Sequence, residues 1–343
     1  MLPTAFPTVD FFHARQGEPA LRWGVLAPGG IARAFVHAVH THTAQRVVAV
    51  ASRSLERAQA FAVDFGIDRS FSSYEQLVAD PGVDVVYVAA PQSEHLALGL
   101  LAISAGKHVL VEKPMATNAA DARTLVGAAR ASGVLLMEAM WSRYQPQSAV
   151  IRALIADGAL GEIRSVDADH GQLIPFGAHH RLYRPDLGGG ALLDLGIYPI
   201  QFDSMILGSP RSITAVGGVA ETGVDAYSTL ILTHDDAQST LTTTLLARTP
   251  TTAVIAGSEA RIEVAGPFHI PTSLTLSDNE FFGRVMEWDD PTGVRIMDGL
   301  SWEATALAQY VGDGRTESPL HTLDETVSIL ETIDEARRQI GAA

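Results

Sequence analysis

The chain has 343 residues, with 24 Lys and Arg against 39 Asp and Glu and a formal net charge of -15. That balance, with no lysine-rich run, argues against nucleic acid or an anionic membrane as a partner and is compatible with a small neutral polyol. The absence of cysteine removes disulfides, thiolate zinc sites and cysteine nucleophiles, and it points to the cytoplasm.

No apolar stretch reaches the ~20 residues of a membrane helix. Residues 1–22 lack the basic start and apolar centre of a signal peptide, so the expectation is a soluble intracellular protein. The length favours two domains of ordinary size, and a hydrophobic content of 47% is ample for both cores.

Residues 1–19, with Pro3, Pro7, Pro19 and the Phe11-Phe12 pair, read as an extended arm that packs on a partner subunit or stays disordered. From Leu21 short apolar runs alternate with amphipathic segments, the pattern of a parallel sheet wrapped by helices. Strands are predicted at 23–27, 47–52, 83–89, 108–112 and 134–140, and helices at 31–40, 55–65, 74–79, 95–105 and 119–132. Ser54 and Asn118 stand where helix N-caps belong. After a helix at 146–157 the rhythm changes to successive strands at 165–171, 212–219, 227–233, 238–246 and 261–264, which suit a largely antiparallel sheet with one face covered. Helices at 301–311 and 323–340 close the chain. The expected fold is α/β, with an arm (1–19), a doubly wound Rossmann domain (20–141) and a C-terminal α+β domain (142–343).

Ala27-Pro28-Gly29-Gly30-Ile31-Ala32 follows the first strand and opens the first helix, where a dinucleotide fingerprint belongs. Ala27 takes the place of the first glycine, which requires of it a negative φ. Gly29 lets the backbone approach a pyrophosphate, and Ala32 permits tight packing of the helix on the sheet. At the end of the second strand an NAD enzyme places an acidic residue on the ribose hydroxyls. Here the residues are Ala51-Ser52-Arg53-Ser54. A hydroxyl and a guanidinium suit the extra phosphate of NADP; the alternative is that Arg53 stacks on adenine and the cofactor is NAD.

The run from Gly188 to Tyr198 carries Asp194 and Tyr198 four residues apart, on one face of a helix opened by glycines. Gly196 between them would let that helix approach a flat ligand closely. Lys113, in Glu112-Lys113-Pro114, supplies a cation able to lower a phenol's pKa and hold a substrate oxygen. Asp194 at a helix start and Tyr198 in an interdomain core remain the plainer alternatives.

The fingerprint-like turn, the segment from Pro91 to His95, Glu112-Lys113-Pro114, the segment from Met137 to Pro146 and the run from Gly188 to Pro199 together resemble the glucose-fructose oxidoreductase and inositol dehydrogenase family (Gfo/Idh/MocA). Within it, the segments around Trp141 and Tyr198 are most similar to the dimeric dihydrodiol dehydrogenase and D-xylose dehydrogenase subgroup. The resemblance implies an NAD(P)-dependent oxidoreductase acting on CH–OH groups of a sugar or cyclic diol, and a homodimer formed through an open-faced C-terminal sheet. It also implies catalytic roles for Lys113, Asp194 and Tyr198, a cis bond before Pro114, and a nucleotide site of Ala27, Gly29, Gly30, Ile31, Ser52, Arg53, Arg57, Pro91, His95, Glu112 and Lys113. Substrate contacts would come from Trp141, Arg143, Asp194 and Tyr198. Many members have histidine where Tyr198 stands, and a free phenol with a pKa of about 10 needs a nearby cation to act as a base near neutrality.

His95, His179, His180 and Arg181 fall in segments that the fold would bring near the cleft, but surface or core positions suit them equally. His37, His40 and His42 cross a helix end without a carboxylate or thiol and read as solvated rather than metal-binding. The preferred cofactor is NADP, with NAD possible. The direction of reaction is open, and a non-catalytic sensor of dinucleotides is the rival from another class.

Overall fold

A computed structural model describes residues 2–343. The chain divides into two compact units. One comprises Phe12–Tyr144 and Val294–Val327, and the other comprises the segment up to Phe11, Gln145–Gly293 and Ser328–Ala343.

The first unit alternates strand and helix: β1 (Arg22–Leu26), α1 (Gly30–His42), β2 (Arg46–Ala51), α2 (Leu55–Phe65), β3 (Arg69–Phe71), α3 (Tyr74–Val78), β4 (Val85–Val88), α4 (His95–Ser104), β5 (His108–Glu112), α5 (Ala119–Ser132) and β6 (Leu136–Ala139). Its six strands lie in the order β3-β2-β1-β4-β5-β6, all parallel. Strands such as β4, Val-Val-Tyr-Val, are buried along their whole length, as a sheet covered on both faces demands. Ser54 and Asn118 cap α2 and α5 by accepting the N–H groups of Arg57 and Asp121, as the sequence suggested. β3 escaped the sequence because three half-buried residues are too few to show a period.

Residues 294–327, grouped from the sequence with the C-terminal domain, belong to this unit. Their helix runs against α1, and Leu136 of β6 donates its N–H to Thr316 O. Phe12, at the end of the presumed arm, sets its ring edge-on to Tyr144 and Tyr310 at 5.7 and 5.9 Å, so this part of the arm is held by its own chain.

The second unit begins with α6 (Pro146–Ala156), β7 (Ile163–Gly171) and α7 (Ile197–Leu207). It continues through β8 (Ser212–Val219), β9 (Asp225–Thr233), β10 (Gln238–Thr244), β11 (Ala253–Gly257), β12 (Ala260–Val264), β13 (Leu274–Asp278) and β14 (Val285–Trp288). α8 (Leu300–Gly312) lies in the first unit, and α9 (Leu323–Ile340) ends the chain. The eight strands form one sheet in the order β14-β13-β12-β11-β7-β10-β9-β8. β7 and β10 are parallel; the other pairs are antiparallel. α7 covers one face at β7 and β10. At β8 and β9 the opposite face leaves Val216, Tyr227 and Ile231 exposed, which gives the alternation of a one-sided sheet.

Candidate active site

The nucleotide turn departs from the sequence expectation at Ala27. Its φ is +60°, not negative, so an alanine holds the left-handed conformation that glycine adopts without strain. The rest of the turn fits a dinucleotide. A Cβ on Gly29 would come no closer than 4.0 Å to another heavy atom of the chain, and one on Gly30 would meet nothing within 4 Å. Internal packing therefore does not require glycine at either position, and the space above the turn is open to a ligand. Gly29 caps α1 without a side-chain hydrogen bond, so the first-turn N–H groups remain available to a pyrophosphate. Ile31 is partly buried, and Ala32 is buried beneath the turn.

At the end of β2, Ser52 is buried and its Oγ accepts the Ser54 N–H at 3.3 Å. Arg53 and Arg57 are exposed, and both act electrostatically on the half-buried Tyr74, whose phenol burial pushes to a higher pKa against their charge. Two guanidinium groups and a hydroxyl thus gather beside β2, and no carboxylate occupies the position that would hold a ribose. Pro91 is exposed at the end of β4.

His95 and Glu112, expected to bind cofactor, are buried and hydrogen-bonded within the chain. The Nδ1 and Nε2 of His95 lie 2.8 and 2.9 Å from the carbonyl oxygens of Pro114 and Ala90, so both ring nitrogens are engaged, and burial lowers the imidazole pKa. Glu112 accepts a hydrogen bond from the Tyr87 hydroxyl and the Lys113 N–H at 3.1 Å; burial raises its pKa against both. Next to it, the half-buried Lys113 precedes a cis peptide bond to Pro114.

Behind this segment, Glu138 accepts the Met115 N–H at 2.8 Å and bonds His321 Nε2 at 2.8 Å and Thr326 Oγ1 at 2.9 Å. Arg143, expected to contact substrate, completes the same interior cluster. It is 2% exposed and donates to Glu325 Oε1 at 2.6 Å and to Leu320 O at 3.1 Å. Burial alone pushes Glu325 up, but hydrogen bonds from His321 and the charge of Arg143 hold it well below the usual carboxylate range. Trp141 is buried at the start of the same 3-10 turn, Trp141–Tyr144. Near α1, His40 Nε2 accepts the Val47 N–H at 3.0 Å, and among the described residues no three His, Asp or Glu side chains gather as metal ligands.

In the second unit, the helix carrying Asp194 and Tyr198 starts with a π-helical turn, Leu192–Gly196, before α7. The wider turn changes the simple four-residue spacing. Gly196 serves the chain's own sheet rather than a ligand, because a Cβ there would lie 3.1 Å from Thr243 Cγ2 of β10. Asp194 is paired with Arg181, whose two terminal nitrogens donate to its carboxylate at 3.1 and 3.2 Å. His179 and His180 are exposed, and His180 Nδ1 accepts the Leu182 N–H at 3.3 Å.

Three residues that sequence spacing did not mark complete this region. The Tyr198 ring, 6% exposed, lies 4.3 Å from the ring of His269 and 5.5 Å from that of His170, and the two imidazoles stack at 4.5 Å. His170 is the last residue but one of β7, and His269 comes from the loop after β12. Both line an open pocket of about 470 Å³, within the ~300–1,000 Å³ of small-molecule sites. The third residue is Asp225, whose Oδ2 accepts the Leu192 N–H at 2.6 Å and so anchors the π turn. Burial raises its pKa to about 6 against that hydrogen bond. A Cβ on Gly190 would lie 2.2 Å from Asp225 Oδ1, so only glycine admits the carboxylate there.

Comparison with known proteins agrees with this division. Residues 21–140 match the oxidoreductase family with an NAD-binding Rossmann fold, and residues 149–263 match the GFO/IDH/MocA C-terminal domain. A trans-1,2-dihydrobenzene-1,2-diol dehydrogenase of Xenopus tropicalis is 37% identical over 327 residues, covering 94% of this chain and 98% of the relative. Among solved structures, an aldose-aldose oxidoreductase from Caulobacter crescentus, complexed with glycerol, superposes with a TM-score of 0.82 at 25% identity, covering 94% of this chain and 98% of its own. A 3-ketoreductase from Actinomadura kijaniata, in complex with NADP and TDP-benzene, superposes with a TM-score of 0.80 at 28% identity, over 94% and 98%.

Proposed function

Since the chain belongs to the GFO/IDH/MocA family of NAD(P)-dependent oxidoreductases, we propose that it is an NADP-dependent dehydrogenase of a sugar or cyclic diol. The observation that carries this reading is the setting of Tyr198. Its phenol ring is held by two imidazole rings that line a pocket of monosaccharide size. The names of the similar dehydrogenase and aldose oxidoreductase support the substrate class.

A bound nicotinamide dinucleotide supplies the hydride acceptor or donor. The chain's own task is to bind, orient and manage the proton. Gly29, Gly30 and the N–H groups opening α1 hold the pyrophosphate. Ser52, Arg53 and Arg57 take the ribose phosphate by charge-assisted hydrogen bonds. Oxidation of a carbinol releases a proton as hydride leaves, and a group of suitable basicity must accept it. We assign that transfer to Tyr198, with Lys113 sharing it, and assign Asp194, oriented by Arg181, to the substrate's hydroxyl groups. Trp141 remains a substrate-contact candidate in this reading. The exposed Val216, Tyr227 and Ile231 on the uncovered sheet face support a homodimer formed there; a monomer in light scattering would remove that part of the proposal.

The cofactor assignment is tested by measuring affinity for NADP and NAD in the wild type and in Arg53→Ala. The expected result is a loss of preference for NADP by ~10–100-fold, the worth of a charge-assisted hydrogen bond. An unchanged preference overturns the role of Arg53 and favours NAD.

A further inference from the structure

The pocket beside Tyr198 has a charge that the whole chain does not. The protein carries a net -15 with histidine taken as neutral, yet among the described residues the one formally charged side chain in the lining is the guanidinium of Arg248, beside the imidazoles of His170 and His269, with no carboxylate. Arg248 is exposed at the rim, and among the described residues it enters no hydrogen bond or ion pair. The nearest acidic side chain in sequence to His170 is Asp169, and it is committed elsewhere. Its two oxygens accept the N–H groups of Thr251 and Thr252 at 2.8 and 3.0 Å, and one also accepts the Thr252 hydroxyl at 3.1 Å. Those bonds occupy the acid, which is not among the pocket's lining residues, and fix the loop that follows Arg248.

The walls around Arg248 are similarly tied down. Gly171 N–H donates to Thr249 Oγ1 at 2.7 Å, and the Thr249 N–H returns to Gly171 O at 3.1 Å. Phe268 N–H donates to Thr251 O at 2.9 Å, while Gln145 holds His269 O at 3.0 Å. A guanidinium with no protein partner, on a loop braced at both ends and facing a pocket free of acids, is a preformed receptor for an oxyanion.

We propose that the substrate is an anionic polyol: a sugar whose carbon skeleton carries a carboxylate or phosphate in addition to the reacting carbinol, with that anion held by Arg248. The reacting end lies toward Tyr198, His170 and His269, and the anionic end toward Arg248 and Thr249. The inference rests on the dehydrogenase reading above for the identity of the reacting carbon, but the anion site stands on the pocket alone.

The test compares matched substrates, D-glucose, D-glucuronate and D-glucose 6-phosphate and their pentose counterparts, in kcat/KM with saturating NADP. In parallel, calorimetry follows binding of D-gluconate and of inorganic phosphate to the wild type and Arg248→Gln, with Arg261→Gln on β12 as a charge-matched control. The expected result is a preference for the anionic members of at least ~10-fold, which collapses in Arg248→Gln and persists in Arg261→Gln. Uronate or gluconate favoured over phosphate identifies a carboxylate, and the reverse identifies a phosphoryl group.

Equal or better turnover of neutral sugars, with a selectivity that Arg248→Gln does not alter, overturns the proposal. Silence in every turnover assay combined with gluconate or phosphate binding that depends on Arg248 leaves the anion site standing and removes the dehydrogenase reading. Silence with no such binding removes the anion site as well.

Discussion

The two units build their candidate sites by different means. In the nucleotide unit the proposed cofactor-binding groups come from stretches consecutive in sequence: backbone N–H groups at 27–31 after β1, and the side chains of Ser52, Arg53 and Arg57 after β2. Their positions follow from the ends of adjacent parallel strands and the start of a helix. In the sheet unit the proposed groups are side chains brought from far apart in sequence, with His170 from near a strand end, Tyr198 from a helix and His269 from a loop, meeting ring to ring. A site built from backbone tolerates side-chain change except where a new atom enters the ligand's space. One built from side chains depends on every member and on the supports that aim it.

Gly29→Ser tests the backbone-built half most severely. The new hydroxyl would cap α1, which lacks a side-chain cap, and so leave stability equal or raised by a few tenths of a kcal/mol. The same atoms would enter open space above the turn and weaken cofactor binding by ~10–100-fold, the usual cost of overpacking a fitted site. Equilibrium binding and thermal melts on one preparation check both; unchanged affinity would show that the cofactor does not approach the turn.

Asp225→Asn probes the aiming of the other half. Because the folded pKa, about 6, exceeds the ordinary value of about 3.9, Asp225 favours folding below about pH 4 and loses that contribution as pH rises through about 6. The loss amounts to up to about 3 kcal/mol. Asparagine keeps an acceptor for the Leu192 N–H and does not titrate, so relative to the wild type it should gain stability between about pH 4 and pH 7. Denaturant unfolding at those two pH values checks this, and a constant difference between the proteins would contradict the assigned environment.

The smallest effect is expected at Ala27→Gly. Removing the Cβ from a residue at φ +60° relieves backbone strain and should raise stability by ~1 kcal/mol with cofactor binding retained. A lower melting temperature would mean that the alanine methyl packs better than the strain costs.

What the sequence made legible follows the same contrast. The parallel sheet, the caps at Ser54 and Asn118 and the glycine turn are local, and local rules locate them. The sequence could not show that Ala27 would adopt positive φ, because tertiary closure between β1 and β2 sets that angle; Ala27 N–H donates to Ala51 O at 3.0 Å. Nor could it show that Arg143 and His95 turn inward, since their partners, Glu325 and the carbonyls of Pro114 and Ala90, are fixed by the fold and not by spacing. His170, His269 and Arg248 carry no motif at all. Each becomes informative only when β7 and the two loops beside it form one pocket.

The most direct measurement follows the absorbance of reduced nicotinamide with NADP and a panel of neutral and anionic sugars and cyclic diols, for the wild type and Tyr198→Phe side by side. The account predicts turnover by the wild type, and in the variant a kcat lower by ~10²–10⁴-fold, the worth of a positioned proton-transfer group, with NADP binding intact. Equal turnover by the two proteins would contradict it.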